Sequence, residues 1–227
     1  MGRLIDSEKR ERAKRERVER KRRILEVARS TFCRLPFVEV TLDNIGQGAD
    51  VDRGVTSMYF GTKEELFLRL LKEELEGWYS EIEEEFNPSD GAVEQLEVAA
   101  LLTSSLGRRP TLTRLLSFET MVLEQNIDAM QAFHFQRWRR DRMGSVGELI
   151  ERTTEGLEPG QGVRLLHRAQ LLTSALAPVA DPRGAAAYEA GDPDFAVFKV
   201  DFEAELTALL MAYLSHADDA APRGSQR

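Results

Sequence analysis

Hydrophobic residues recur at every third or fourth position along most of the chain, which is the spacing of amphipathic α-helices. The pattern predicts two short helices between residues 41 and 58, and longer helices over 9–34, 62–86, 92–106, 110–125, 128–154, 161–177 and 194–215. It contains no internal repeat and no convincing strand. The sequence therefore predicts an all-α protein of about nine helices.

Proline and glycine residues divide this pattern. Pro36 breaks the first helix, and residues 37–40 read as a short extended connection. A cluster of turn-forming residues at 87–91 follows the long fourth helix. Pro178 is expected to end the eighth helix, and residues 179–193 read as a loose loop.

The first three helices cannot bury a large core alone, so the long fourth helix is expected to join them to a C-terminal bundle. We assign residues 1–61 to an N-terminal domain and residues 62–216 to the helical bundle. Residues 217–227 are expected to be a disordered tail.

Residues 41–66 carry the most specific local pattern. Thr41 can cap a first short helix through its side-chain oxygen, and Asp50 tolerates the left-handed backbone of a tight turn. Asp52 is placed to cap a second short helix, and Thr62 begins a capping box at the start of the next one. Two short helices around a tight turn are the outline of a helix-turn-helix, whose second helix lies in the DNA major groove.

Sixteen residues around this motif share their order and spacing with one family: Ile24, Leu25, Ala28 and Phe32, then Thr41, Leu42 and Ile45, then Ala49, Val51, Arg53 and Gly54, then Tyr59, Phe60, Lys63, Glu64 and Leu66. In these positions the chain resembles the TetR family of bacterial transcriptional regulators. The resemblance implies an N-terminal three-helix DNA-binding domain joined by a long helix to a C-terminal bundle. It also implies that the bundle dimerises and binds a small molecule.

The net charge of −8 is unexpected for a DNA-binding protein until its distribution is considered. Residues 1–23 hold 11 Lys+Arg and 5 Asp+Glu, a net of +6, whereas residues 24–227 hold 20 and 34, a net of −14. DNA binding requires a local basic face rather than a basic protein. The basic run has two interpretations: a solvated helix extension held by pairs such as Glu16–Arg20, and an arm that contacts phosphates or the minor groove.

The remaining composition narrows the class of protein. No apolar run approaches the roughly 20 residues that span a bilayer, and the charged start of the chain lacks the apolar segment of a secretory signal. The single cysteine, Cys33, is expected to be a small core residue in a reducing cytoplasm. No nucleophile–base pair, metal cluster or glycine-rich phosphate loop is present, so we expect neither an enzyme nor a cofactor.

The candidate DNA-binding residues are Thr41, Arg53, Thr56, Ser57, Tyr59 and Lys63. Arg53 lies in the first turn of the second short helix and could bond two acceptors of guanine, or instead pair with a neighbouring aspartate. The resemblance implies a phosphate contact for Tyr59, and the amide groups at the start of helix four favour phosphate near Lys63. Thr41 either adds a phosphate bond or serves only as a cap. Thr56 and Ser57 either contact DNA, or their small side chains merely permit the helix to approach the DNA closely.

A stripe of large side chains in the bundle has two interpretations: Trp78, Phe118, Met121, Phe133, His134, Trp138 and His167. It is either ordinary core with two satisfied histidines or the lining of the ligand cavity that the family implies. Aromatic walls with few polar groups suit an apolar or amphipathic ligand. On the second interpretation the effector-binding residues are Trp78, Phe118, Met121, His134, Trp138 and His167. The arginines between 137 and 142 read mainly as a solvated helix face, with an anionic ligand head group as the alternative.

Helices eight and nine form the candidate dimer interface. Phe195, Phe198 and Phe202 fall on one face of helix nine with Leu209, and Ala169 offers a small surface on helix eight. The resemblance adds that these two helices usually pair with their copies as a four-helix bundle. The alternative is that the same stripe packs only within its own chain.

These patterns, together with what the resemblance implies, predict a homodimeric, ligand-responsive repressor that binds a near-palindromic operator. One alternative is a regulator of the same kind without a small-molecule effector. The other is a helical enzyme or adaptor in which the helix-turn-helix is only structural.

Overall fold

The computed structural model describes residues 2–86, 92–181 and 193–215, with side chains except those of residues 2–8, 53, 120 and 121. Within these ranges the chain forms nine α-helices and no strand, which confirms the all-α fold. We number the helices α1 to α9: Gly2–Arg34, Leu42–Gly48, Arg53–Tyr59, Lys63–Glu85, Gln95–Gly107, Pro110–Phe118, Ala129–Thr153, Gln161–Ala180 and Phe202–Ser215. The predicted breaker cluster and most of the predicted loop before helix nine lie outside the described residues, as does the tail.

The helix-turn-helix forms as its local signals predict. The Thr41 hydroxyl accepts a hydrogen bond from the Asn44 amide (3.1 Å), and the Asn44 side chain accepts one in return from the Thr41 amide, which completes a capping box on α2. Asp50 has a φ of 53°, the left-handed turn predicted for it. Asp52 takes the cap position of α3, but its side chain makes no capping hydrogen bond. The turn therefore depends on backbone geometry at Asp50 more than on a side-chain cap at Asp52.

Four sequence-based expectations about helix ends and connections are corrected. The connection after Pro36 is a 3-10 turn over Phe37–Glu39 rather than an extended segment. Helix α6 ends at Phe118 and continues as a π-helical turn, Glu119–Leu123, instead of running regularly to residue 125. Helix α8 continues through Pro178 to Ala180, although proline lacks the N–H that would bond the carbonyl four residues earlier. The ninth helix is split into a 3-10 segment, Pro193–Phe198, and α9.

The chain folds into two compact units that divide within α4. Unit 1 comprises residues 1–71 and 122–127, and unit 2 begins at Lys72. The sequence placed the division ten residues earlier, in the loop before α4. The first two turns of α4 belong with the helix-turn-helix because Leu66, Phe67 and Leu70 are fully buried in its core.

Unit 1 has an aromatic core built from α1, the 3-10 turn and α4. The rings of Phe32 and Phe37 lie 5.1 and 5.2 Å from the ring of Phe67, and all three side chains are buried. Cys33, next to this cluster in sequence, is exposed, so the expectation that it is a core residue is wrong. Helices α2 and α3 pack closely where a Cβ at Gly46 would lie 2.6 Å from the Thr56 hydroxyl oxygen.

Unit 2 is a helical bundle in which α8 packs against α6, α7 and α9. Helices α7 and α8 approach at Gly147 and Gly162, where a Cβ on Gly162 would lie 2.2 Å from the Gly147 carbonyl oxygen. Glycine at this crossing therefore sets how near α7 and α8 lie.

The start of α5 is tied to the end of α7. Val93 and Thr154 form an isolated parallel bridge between them, closed by hydrogen bonds of 2.8 and 3.2 Å.

Candidate DNA-binding and effector sites

One face of α3 is open to solvent. Gly54 and Ser57 are exposed, and Met58 is 84% exposed. A Cβ at Gly54 would meet nothing within 4 Å, so no described part of the chain covers this end of the helix. Positions separated by three and four residues share one side of a helix, and this side could therefore approach a DNA groove. The sequence interpretation missed Met58, although its helical spacing from Gly54 is a signal that could have found it.

Thr56 does not belong to this face. Its side chain is fully buried, and its hydroxyl donates to the Asp52 carbonyl (3.3 Å) beside Gly46. The prediction that Thr56 contacts DNA is therefore corrected: it is a packing residue between α2 and α3. Arg53 is the first residue of α3, as predicted, and its side chain lies outside the described residues.

Lys63 is held by the turn that precedes the helix-turn-helix. Its ammonium group donates to the carbonyls of Phe37 (3.0 Å) and Val40 (3.1 Å) and lies 4.4 Å from the Phe37 ring centroid. An ammonium has three donors, so one remains after these two bonds. Lys63 therefore has a structural task that the sequence did not reveal, together with the predicted capacity to meet a phosphate.

The start of α4 and the end of α3 are arranged around Gly61. The Glu65 amide donates to Thr62 Oγ1 (3.1 Å), as in the predicted capping box, whereas the Glu65 carboxylate accepts from the Gly61 amide (2.8 Å). Tyr59, the last residue of α3, is half-buried, and the Arg17 guanidinium lies 5.9 Å from its ring centroid. A basic group of α1 thus lies beside the end of α3.

Unit 2 contains a buried polar cluster that sequence interpretation missed. Arg139 of α7 pairs with Glu119 of the π-helical turn, and it donates through Nε to the side-chain oxygen of Gln170 on α8 (3.0 Å). Gln170 donates in turn to the Tyr79 hydroxyl on α4 (2.9 Å). The Arg139 and Glu119 side chains are 12% and 5% exposed. Burial raises the pKa of Tyr79 to about 12, so its hydroxyl stays protonated.

The arginine run of α7 divides by helical face, which corrects the expectation of a solvated face. Arg139 is inside, and Arg142 is bound by Glu83 (2.9 Å) and Glu76 (2.9 Å) of α4. Arg140 remains exposed. Hydrogen bonds from Arg142 hold the pKa of Glu83 below its usual value. The sequence did contain a signal for the buried polar cluster around Arg139, because two polar residues occupy positions where the helical spacing calls for apolar ones. Glu119 continues the stripe of Leu112, Leu115 and Leu116, and Gln170 continues that of Leu166 and Ala169.

The six predicted effector-binding residues do not share one environment. Trp78 is fully buried, and its indole N–H donates to the Ser105 hydroxyl (2.9 Å). Trp138 is half-buried under the Lys72 ammonium (4.6 Å), and Phe118 is half-buried. His134 and His167 are exposed, so the core interpretation is wrong for the histidines, and their contact with an effector stays a prediction. The Met121 side chain lies outside the described residues.

His167 lies near two cations. Partial burial and the positive charges of Arg139 and Arg168 lower the pKa of its imidazole.

A groove of about 560 Å³ opens elsewhere in unit 2, where α5 and α8 end and α9 begins, and none of the six predicted effector-binding residues lines it. The polar cluster around Arg139, rather than the predicted stripe, is therefore the best-defined chemical feature of the bundle.

The predicted dimer residues divide between surface and interior. Leu209 of α9 is 39% exposed, and the 3-10 segment exposes Phe195 and Phe198. Phe202 is half-buried at the start of α9, on a different element from the other two phenylalanines. Ala169 is fully buried in its own chain, which corrects its assignment to the interface. The exposed side of α8 is instead formed by Leu171, Ala175 and Val179.

Among the residues described, no helix has the length and apolar character needed to cross a membrane, and no group of three metal-ligating side chains converges.

Comparison with known proteins adds independent evidence. A family model described as the C-terminal domain of tetracyclin-repressor-like proteins matches residues 72–215, a range that begins where unit 2 begins. No curated protein matches the chain. Among solved structures, the chain is similar to Thermus thermophilus FadR, described as a TetR family transcriptional repressor in complex with lauroyl-CoA, at 20% identity and a TM-score of 0.52 over 91% of this chain and 98% of that one. The family match covers more than half of the chain, and the structural likeness supports the same fold. The chain belongs to the TetR family of transcriptional regulators.

Proposed function

We propose that the chain is a ligand-responsive repressor that binds a near-palindromic operator as a homodimer. The observation that carries the proposal is the open face of α3, formed by Gly54, Ser57 and Met58 on the second helix of a helix-turn-helix. A residue without a side chain permits close approach to base edges, and an exposed thioether can contact a thymine methyl group. Tyr59 and Lys63 flank this face as phosphate contacts, and Arg53 begins it as a base contact.

Homodimer formation is supported by apolar surface on two neighbouring helices of unit 2. Leu171 and Val179 of α8 are about half exposed, and Leu209 of α9 is 39% exposed among three exposed alanines, Ala204, Ala208 and Ala212. Small residues let two helices approach closely, and large apolar residues between them supply buried area. Two copies joined through α8 and α9 would present two recognition helices to two half-sites, as operator symmetry requires.

The effector is proposed to be an amphipathic molecule with an anionic or strongly polar end. FadR, to which the fold is similar, is described as a complex with lauroyl-CoA, an acyl chain on a charged carrier. In this chain the polar end would be met by the cluster around Arg139, whose side chain is 12% exposed and is bound to both the Glu119 carboxylate and the Gln170 side-chain amide. The ligand changes DNA affinity only by the difference in its affinity for the two states.

A regulator without an effector remains the second candidate because of one observation. Trp78, which a ligand would be expected to contact, is fully buried and already bonded to Ser105. A thermal shift with lauroyl-CoA, laurate and coenzyme A, each added alone, separates the two candidates. Stabilisation by any of the three favours an effector, and Arg139→Lys should then reduce that stabilisation.

DNA binding is tested with a duplex selected by the wild-type protein from a random library. Ser57→Glu places a carboxylate on the open face of α3 and should abolish specific binding. Gln131→Glu, an equal charge change at an exposed position of α7, is the matched control and should bind normally. No selection of any sequence by the wild-type protein, or equal loss in both variants, would contradict the proposal.

A further inference from the structure

Helix α1 is much longer than its packed portion. Among the side chains of α1 that the structure describes, from residue 9 onward, burial begins at Ile24, and residues 9–23 are helical and almost entirely exposed. At 1.5 Å per residue these residues form about 22 Å of helix, most of whose surface the described chain leaves open. They contain ten Lys+Arg and three Glu. We call residues 9–23 the arm.

The basic residues of the arm include one continuous stripe. The Arg17 guanidinium lies over the Tyr59 ring (5.9 Å), and the Lys21 ammonium lies over the Phe60 ring (5.5 Å). Both rings stand at the end of α3, so this side of the arm borders the recognition helix. Arg10 and Lys14 precede Arg17 by seven and three residues and therefore continue the same side of the helix. We call Arg10, Lys14, Arg17 and Lys21 the basic stripe.

Two of the three carboxylates of the arm are bound away from this stripe. Arg12 pairs with Glu16 (2.9 Å), and Arg22 pairs with Glu19 (2.6 Å) and Glu26. Each residue of an α-helix is rotated by about 100° from the one before it. Measured from Arg17, Glu16 therefore lies about 100° around the helix, Glu11 about 120° and Glu19 about 160°. The charges are thus sorted by face: acid–base pairs support the helix elsewhere, and the side near α3 is wholly basic.

We propose that the basic stripe is a second DNA-contacting element, a rigid helical arm that binds phosphates beyond the half-site read by α3. This inference rests on the proposed DNA binding. A helix about 10–12 Å wide does not fit a minor groove about 6 Å wide, so the arm follows the backbone instead of entering that groove. Its only large apolar residue is Val18, so it has no apolar face for a lipid surface.

The stripe contributes to affinity without reading sequence. Contacts to phosphates position a protein on the duplex, whereas contacts to base edges distinguish sequences. Each neutralised phosphate steepens the slope of log affinity against log salt by about 0.9, so four contacts contribute about 3.6 per protomer. Loss of the stripe should therefore weaken binding to all duplexes alike and flatten the salt dependence.

The test compares two variants of the full chain that lose the same charge. The stripe variant replaces Arg10, Lys14, Arg17 and Lys21 by Gln, and the matched variant replaces Arg12, Arg15, Arg22 and Arg23, on the other side of the arm, by Gln. The probes are the library-selected duplex and a random duplex of the same length, titrated at several salt concentrations. Circular dichroism checks that both variants keep the helix content of the wild type.

The stripe variant should lose at least about tenfold in affinity on both probes at low salt and flatten the slope by about 3 or more per protomer. The matched variant should change much less. A charge-preserving variant that exchanges Arg for Lys and Lys for Arg within the stripe should keep the wild-type slope. Hydroxyl-radical footprinting should show flanking backbone positions, read as protected deoxyriboses, that the stripe variant no longer protects.

Three results would overturn the inference. Equal losses in the stripe and matched variants would show a general effect of net charge. An unchanged slope in the stripe variant, while Ser57→Glu abolishes specific binding, would show that the arm takes no part and would leave the proposed function intact. No DNA binding by the wild-type chain would overturn the proposed function and the arm's role together.

Discussion

The two units carry their functional side chains in opposite ways. In unit 1 the candidate DNA-binding residues lie within 23 residues of sequence, from the cap of α2 to the first residue of α4, and most are exposed or half-buried. In unit 2 the polar cluster draws one residue each from α4, the π-helical turn, α7 and α8, and it is buried. A surface that meets DNA must be open and is specified locally. A buried polar cluster is specified by packing, and it responds to anything that changes the packing.

The largest effect is expected where the buried pair of unit 2 is broken. Glu119→Ala leaves the Arg139 guanidinium buried without its carboxylate, which should lower the free energy of unfolding by about 3–5 kcal/mol. Both tryptophans of the chain lie in unit 2, so their fluorescence during urea unfolding reports this unit alone. The exposed residue Arg140 provides the control, since Arg140→Ala should change the value by less than about 0.5 kcal/mol.

A double substitution separates a damaged core from a broken pair. Replacing Glu119 by Leu and Arg139 by Met removes both charges, and it should recover most of the stability lost in Glu119→Ala. If Glu119→Ala lowers the free energy of unfolding no more than Arg140→Ala does, the cluster is not the coupled unit that its geometry indicates. Unit 2 would then not differ from unit 1 in depending on packing for its functional side chains.

Local signals predicted the helix-turn-helix well because they act within one turn. The cap at Thr41 and the left-handed turn at Asp50 are both formed as expected. The same signals could not show that Thr56 is buried, because that depends on Gly46 removing a side chain from the facing helix. Fold class and most helix bounds follow from periodicity, whereas the environment of a side chain depends on neighbours distant in sequence.

In unit 2 the sequence did not reveal which polar side chains converge. Aromatic and histidine residues suggested a ligand stripe, but His134 and His167 are exposed. The residues that converge are Glu119, Arg139 and Gln170, and their wide separation along the sequence hides their pairing. The π-helical turn that carries Glu119 has no strong sequence signal, and such turns occur often at functional sites.

The next effect in size is a pair of glycine substitutions in unit 1. Gly46→Ala places a methyl group 2.6 Å from Thr56 Oγ1 and 3.0 Å from the Val51 carbonyl, so it should cost about 1–3 kcal/mol of stability. Gly54→Ala meets no atom within 4 Å and should stabilise α3 by up to about 1 kcal/mol. Amide hydrogen exchange in α2 and α3 measures both changes within unit 1.

DNA binding should reverse the order of these two variants. Gly54→Ala adds a methyl group on the open face of α3, so it should weaken specific binding although the protein is more stable. Gly46→Ala should leave the affinity of the folded fraction close to that of the wild type. Normal specific binding by Gly54→Ala would place the DNA contacts on another face of α3.

A smaller effect is expected at Lys63. Lys63→Met keeps the aliphatic stem against Phe37 but removes two charge-assisted hydrogen bonds to the 37–40 turn, which should cost about 1 kcal/mol because the side chain is half-buried. Lys63→Arg retains a cation and is the comparison. A loss of DNA affinity without a loss of stability in Lys63→Met would show that the phosphate role dominates the structural one.

The smallest effect is a pH dependence at the surface of unit 2. Hydrogen bonds from Arg142 lower the pKa of Glu83 in the folded state, so the folded chain binds fewer protons there than the unfolded chain as pH falls. The stabilisation is fully present above the unfolded pKa of about 4.3 and is lost as pH falls through the lower folded value. Glu83→Gln should therefore flatten the fall in melting temperature below about pH 5, while Glu148→Gln, an equal charge change at an exposed position of α7, serves as the control. Parallel curves for the two variants would mean that the pair between Arg142 and Glu83 is too well solvated to couple protonation to folding. Of the two ion pairs, only the one formed by Arg139 would then be shielded enough from solvent to affect stability.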